Sequence, residues 1–160
     1  MGMCGNYIAV EEKGLKKIKK GKADLFALSS EEGRLACDID KAWWLIGWTL
    51  TDEAGDGEPP AGYVVPLLRA QSIESDGLDY GANWLTAAQV REAAAYLADI
   101  DEVKLRSMYD HDFLVTNEVY GVHEDDAEGD FDYIKGYVFV LRDFYKQAAD
   151  ANKAVVFWVC

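Results

Sequence analysis

The sequence predicts a single α+β domain, and three observations carry that assignment. Apolar, β-prone stretches stand near both ends of the chain, Met3–Val10 and Ala154–Val159. Segments of helical periodicity fill most of the interval between them, the longest from Phe131 to Asn152. Half of the 160 residues are hydrophobic, with five Trp, nine Tyr and six Phe, enough to build one core at the usual length of one domain. The expectation is one compact unit over residues 1–160. It has a small mixed or antiparallel sheet with terminal strands, and about five helices.

Each element has its own signal. After the opening strand, Glu11–Lys20 reads as a charged helix weakened by Gly14, and Ala23–Leu28 as a second short one. Asp40 stands where an N-cap would, its carboxylate able to accept from the free amides of a first helical turn. The helix it would open holds three Trp in six residues. Trp43, Ile46, Gly47 and Leu50 share one face, and Trp44 and Trp48 an adjacent one. A helix apolar on two adjoining faces belongs in the core, or it feeds a pocket or an interface.

Thr51–Gly62 is a loop, with four acidic residues, three Gly and Pro59-Pro60. Tyr63–Val65 reads as a strand, Pro66 as the start of a helical turn, and Asp79–Leu85 as a strand or extended edge. Thr86-Ala87-Ala88-Gln89 matches a capping box and opens an Ala-rich helix to Ile100. Asp101–Tyr109 forms the next helix, and periodicity then fails from His111 to Asp130. In the last helix Phe131, Ile134, Val138, Leu141, Tyr145 and Ala148 make a continuous stripe. Ala154–Val159 is apolar on both faces, as a central strand must be.

The charge pattern restricts the partners. The formal net charge is −13, a field that repels nucleic-acid phosphates and anionic membranes and attracts basic partners. Lys13–Lys22 runs the other way, with six of the 16 basic residues, and reads as a solvated helix face. Between Asp99 and Asp132 there are 12 acidic residues against Lys104 and Arg106, so most of the excess lies there. Such clustering gives no core, and within it Glu124, Asp125, Asp126 and Glu128 are candidates for a partner-facing surface.

Catalytic and cofactor signatures are missing. There is no GxSxG, no GxxxxGK[ST] and no GxGxxG after a strand, and no cofactor is expected. His111 and His123 read as surface histidines in acidic surroundings. Cys4, Cys37 and Cys160 are widely spaced, so they make neither a disulfide framework nor a zinc motif and fit a reducing cytoplasm. Cys4 and Cys37 are expected to be buried structural thiols. The carboxylates around Gly129 miss the calcium-loop pattern, and no metal site is expected. The chain carries neither a signal-peptide pattern nor an apolar run of ~18 residues, which fits a soluble, unanchored protein.

Four stretches, taken in order, resemble the YfbM-like family of small bacterial proteins, a domain-of-unknown-function family. They are Met1-Gly2-Met3-Cys4-Gly5-Asn6, Asp40-Lys41-Ala42-Trp43 followed by apolar residues and Thr51, Tyr80-Gly81 to Leu85-Thr86, and Phe144-Tyr145 with Ala148-Ala149 before the final strand. Where members often carry histidine in the Trp helix this chain has Trp44 and Gly47, and Gly121 stands where they tend to have proline. The resemblance implies an α+β fold and a cytoplasmic bacterial protein. It implies no established reaction, and for some members a role as immunity proteins of toxin systems.

Two readings follow. In the first the protein is a non-catalytic module that binds a basic protein partner, for instance as an immunity protein masking a basic toxin. In the second it binds or hydrolyses a small molecule in a pocket beside the Asp40–Trp48 helix, with Asp40, Lys41 and Tyr80 as polar groups and Trp44 and Trp48 as aromatic walls.

Overall fold

Among the described residues five strands form an open antiparallel sheet in the order β2-β1-β5-β4-β3. They are β1 (Gly5–Val10), β2 (Ala36–Asp38), β3 (Gln71–Ile73), β4 (Ala82–Leu85) and β5 (Ala154–Val159). The computed structural model describes residues 2–52, 57–67, 71–73 and 81–160. All four strand pairings are antiparallel, which decides between the two sheet types the sequence left open. β5 is central, and all six of its residues are buried.

Alternation along the strands divides the core between the two faces. Tyr7, Ala9, Val155, Phe157 and Val159 face one way, and Ile8, Val10, Ala154, Val156 and Trp158 the other. The second face is covered by α1 (Glu12–Lys19) and α2 (Leu25–Ser29). Leu15 and Ile18 turn inward from α1, while its lysines remain in solvent, as a solvated basic face requires. The first face carries the main core, built with α3 (Ala42–Thr51), α4 (Ala87–Ala98), α5 (Glu102–Met108), α6 (His111–Thr116) and α7 (Ala127–Asp150).

Several local expectations hold in detail. Thr86 and Gln89 form the capping box of α4, with bonds of 3.2 and 2.8 Å. All six stripe residues of α7 are buried, and so is Trp43, at 1 % exposure.

Others need correction. Seven α-helices are present among the described residues, against about five expected. The difference lies mainly between His111 and Asp130, where sequence periodicity fails. α6 is a six-residue helix, too short to show a repeat, and α7 begins four residues earlier than its apolar stripe because Asp126 caps it by accepting from Gly129 N. The expected strand at Tyr63–Val65 is a 3-10 turn over Ala61–Tyr63, and the helical turn expected to start at Pro66 runs into residues 68–70, which lie outside the described residues. The backbone there bonds locally, Tyr63 N to Pro60 O and Val64 N to Ala61 O. The Val64 carbonyl accepts from the buried hydroxyls of Tyr7 and Tyr145, so no ladder partner is needed. β2 and β3, three residues each, carry too little alternation to be read from sequence.

Candidate functional site

The Asp40-Lys41-Ala42-Trp43 segment is folded against the first residues of the chain. Trp43 donates its indole N–H to Met3 O at 2.8 Å, Gly5 N donates to Asp40 O at 2.8 Å, and Ile39 N returns a bond to Gly5 O at 2.9 Å. Gly5 is required by the closeness of this contact, since a Cβ there would lie 2.8 Å from the Cβ of Trp43. The first two stretches of the family-like pattern are thus one packing unit.

Asp40 is not the helix cap it was expected to be. Its φ of 47° turns the chain into the left-handed region, Lys41 occupies the cap position, and α3 has no side-chain cap. The Asp40 carboxylate points elsewhere. Oδ2 accepts from the Tyr133 hydroxyl at 2.8 Å and Oδ1 from the Cys4 thiol at 3.4 Å. The Tyr133 bond above all, with help from Cys4 and Lys41, holds this carboxyl below its ordinary range despite partial burial. Burial, and then the bond to Asp40, push the Tyr133 phenol well above its own.

Across from Asp40 lies the connection from α6 to α7. Gly121 makes the turn at φ 91°, a conformation closed to proline, and it passes close to Leu45 of α3. Tyr120 accepts from Met3 N at 3.3 Å. Asp130, 3 % exposed, gathers the end of this connection. Its Oδ2 accepts from His123 N and its Oδ1 from His123 Nδ1, both at 2.7 Å. His111 is half-buried, with its side chain 14 % exposed, and donates from Nε2 to His123 O at 3.0 Å. The surface reading therefore holds for the His123 ring, which is exposed, but not for His111. Between these elements opens a cleft of about 510 Å³, whose polar lining is Asp40, Lys41, Tyr120, His123, Asp126, Asp130 and Tyr133.

Of the residues singled out from sequence, the fold brings Asp40, Lys41 and Asp126 into this cleft. Glu124 and Asp125 are exposed on the same connection, directly after His123. Glu128 instead forms a two-pronged pair with Arg106, at 2.8 and 2.9 Å. Trp44 and Trp48 are half-buried packing residues, Trp44 against Trp43 and Trp48 against Phe113 of α6, and neither lines the cleft. Tyr80 lies outside the described residues. Cys4 and Cys37 are half-buried rather than buried, and Cys160 is exposed. Among the described residues no three His, Cys, Asp or Glu side chains could hold a metal ion together.

Sequence reasoning missed Tyr120 and Tyr133, and the pairing of His123 with Asp130. Tyr133 and Asp130 sit on the first turns of α7, and their partners are remote or in a connection without periodicity. A faint signal existed in two histidines within the most acidic stretch, where a carboxylate partner is easy to find.

The whole is a small α+β protein whose polar cleft is framed by the chain's first residues, the Trp helix and an acidic connection. The chain belongs to the family described as domain of unknown function DUF1877, whose model matches residues 1–158. It is similar in structure to YfbM from Escherichia coli, itself described as a protein of unknown function. The TM-score is 0.75 at 18 % identity, over 98 % of this chain and 99 % of that one, a likeness of fold. No curated protein matches the chain. Among the described residues no helix is long and apolar enough to cross a membrane.

Proposed function

We propose that this protein is a non-catalytic binding module of the cytoplasm that takes a basic group of a protein partner into the cleft beside α3. The observation that supports this most is that Asp40 and Asp126 line one cleft edged by Tyr120 and Tyr133, with Asp130 buried behind them against His123. Tyrosine rings favour cations through their faces, and carboxylates bind guanidinium or ammonium groups directly. Glu124 and Asp125 stand exposed on the adjoining connection and extend the attraction outward. An immunity protein masking a basic toxin is the form of this role that fits the net charge of −13.

The test is capture of a partner from the native host, then association kinetics over a salt series. On-rates should fall steeply as salt rises, and Asp40→Asn or Glu124→Gln with Asp125→Asn should lower affinity. Salt-independent association, unaffected by these variants, would reject the reading. A toxin role adds one requirement, that co-expression with this chain rescues growth.

The His123–Asp130 pair favours a second reading, in which the cleft binds or hydrolyses a small molecule. A buried carboxylate bonded to Nδ1 orients an imidazole so that Nε2 can act as a base. A panel of ester and phosphoester substrates decides between the two, since only this reading predicts turnover that His123→Ala abolishes.

A further inference from the structure

The pairing of β1 with β5 continues one residue beyond the strands. Cys4 N donates to Cys160 O at 2.7 Å, and Cys160 N donates to Cys4 O at 3.1 Å. Residues that exchange both bonds in an antiparallel pair are directly opposed and share a face, with Cα atoms about 5.5 Å apart. That separation lies within the range a disulfide spans. Both side chains are free thiols, Cys160 exposed and Cys4 half-buried. Each now has its own partner: the Cys4 thiol donates to Asp40 Oδ1, while Cys160 Sγ accepts from Asn6 Nδ2 at 3.3 Å. Asn6 lies two residues along β1 from Cys4, on the same face.

We propose that Cys4 and Cys160 are a peroxide-sensitive pair that closes into a cross-strand disulfide. The exposed Cys160 thiolate attacks one oxygen of a peroxide. The O–O bond breaks, leaving a sulfenic acid and, for hydrogen peroxide, a hydroxide that takes up the proton given up by the Cys160 thiol and becomes one water. Cys4 gives up its proton, and its sulfur attacks the Cys160 sulfur. The S–O bond breaks as the S–S bond forms, and the hydroxyl leaves with that proton as a second water. Two thiols are oxidised and one peroxide is reduced to two waters.

The order of roles follows from exposure. Burial and the Asp40 bond raise the Cys4 thiol above its ordinary range, which suits a resolving partner better than a first target. Cys37 is a different case. It lies on β2 opposite Tyr7, and burial pushes its thiol up to about 12. The pair also bears on the cleft, because closure withdraws the Cys4 thiol from Asp40 and leaves that carboxylate with Tyr133. The modification does not depend on what the cleft binds.

The experiment treats the reduced full chain with hydrogen peroxide and follows it by intact mass and non-reducing peptide mapping. The expected product has lost two hydrogens, links Cys4 to Cys160 within one chain, and melts at a higher temperature than the reduced form. Cys160→Ser should abolish the link and leave Cys4 a thiol, while Cys4→Ser should stop at a sulfenic acid on Cys160 that dimedone traps. Oxidation of Cys160 to the sulfinic acid beside an intact Cys4 thiol would overturn the proposal. So would a link to Cys37, a link between chains, or no reaction at either residue.

Discussion

The Tyr133 hydroxyl on α7 donates a 2.8 Å hydrogen bond to Oδ2 of Asp40, the residue that leads into α3. The bond locks the far wall of the cleft to the near one and accounts for the lowered titration of the Asp40 carboxyl. Tyr133→Phe should cost about 1–2 kcal/mol at pH 6, the lower range for a bond to a charged acceptor that is partly exposed. A carboxyl depressed in the folded state contributes stability that is complete above its unfolded value, ~3.9, and lost as pH falls through the folded one. The gap between wild type and Tyr133→Phe should therefore close in acid. Urea unfolding at pH 6 and in stepwise more acidic buffers measures it.

Because Asp40 caps nothing, its substitutions should not follow the capping scale. Asn and Asp cap about equally well, so a capping role would make Asp40→Asn nearly neutral. With the carboxylate bonded to Tyr133 and Cys4 instead, Asp40→Asn should lose most of what Asp40→Ala loses. Equilibrium unfolding of the two variants side by side decides between these roles.

Trp43 and Gly5 should behave as a coupled pair. Trp43→Ala should cost about 3–5 kcal/mol, as expected for a fully buried aromatic. Gly5→Ala forces a Cβ against the Cβ of Trp43, an overpacking of about 1–3 kcal/mol. Alanine at 43 keeps that Cβ, so the cycle pairs Gly5→Ala with Trp43→Gly; by urea unfolding it should show less than additive loss, whereas strict additivity would mean that the Cβ–Cβ contact carries no strain.

Asp130 should set the tautomer of His123. In the wild type the ring proton belongs on Nδ1, facing Oδ1 at 2.7 Å. Nitrogen-15 NMR of the imidazole should report that form, and Asp130→Ala should shift the ring toward the Nε2 tautomer. An unchanged spectrum would show that the buried carboxylate does not orient the ring.

The acidic stretch from Asp99 to Asp132 should separate into structural and free charges. Asp101, Asp110 and Asp126 cap helices, Glu128 holds Arg106, and Glu102 and Asp132 share Lys135. Asp126→Ala should accordingly cost about 1 kcal/mol. Glu124→Gln with Asp125→Asn should stay within about 0.5 kcal/mol of wild type. Thermal or urea melts check both, and a large loss in the second pair would mean that these carboxylates hold the fold rather than face a partner.

The sequence by itself determined what depends on neighbours along the chain. The stripe from Phe131 to Ala148, the Thr86–Gln89 box and the doubly apolar β5 all follow from local spacing and side-chain chemistry, and each appears as expected. Only the tertiary structure decided where polar groups without periodicity would find partners. Asp40 has the chemistry of a cap, yet its carboxylate goes to Tyr133, 93 residues away, because β1 and the chain's first residues pack under the Trp helix and turn the backbone there left-handed. Half of the clustered acids, which in sequence look like a free surface, are used up as caps and ion pairs once the helices stand side by side. Apolar burial follows a repeat that the chain displays, whereas a hydrogen bond between distant residues exists only after the backbone has brought donor and acceptor within about 3 Å.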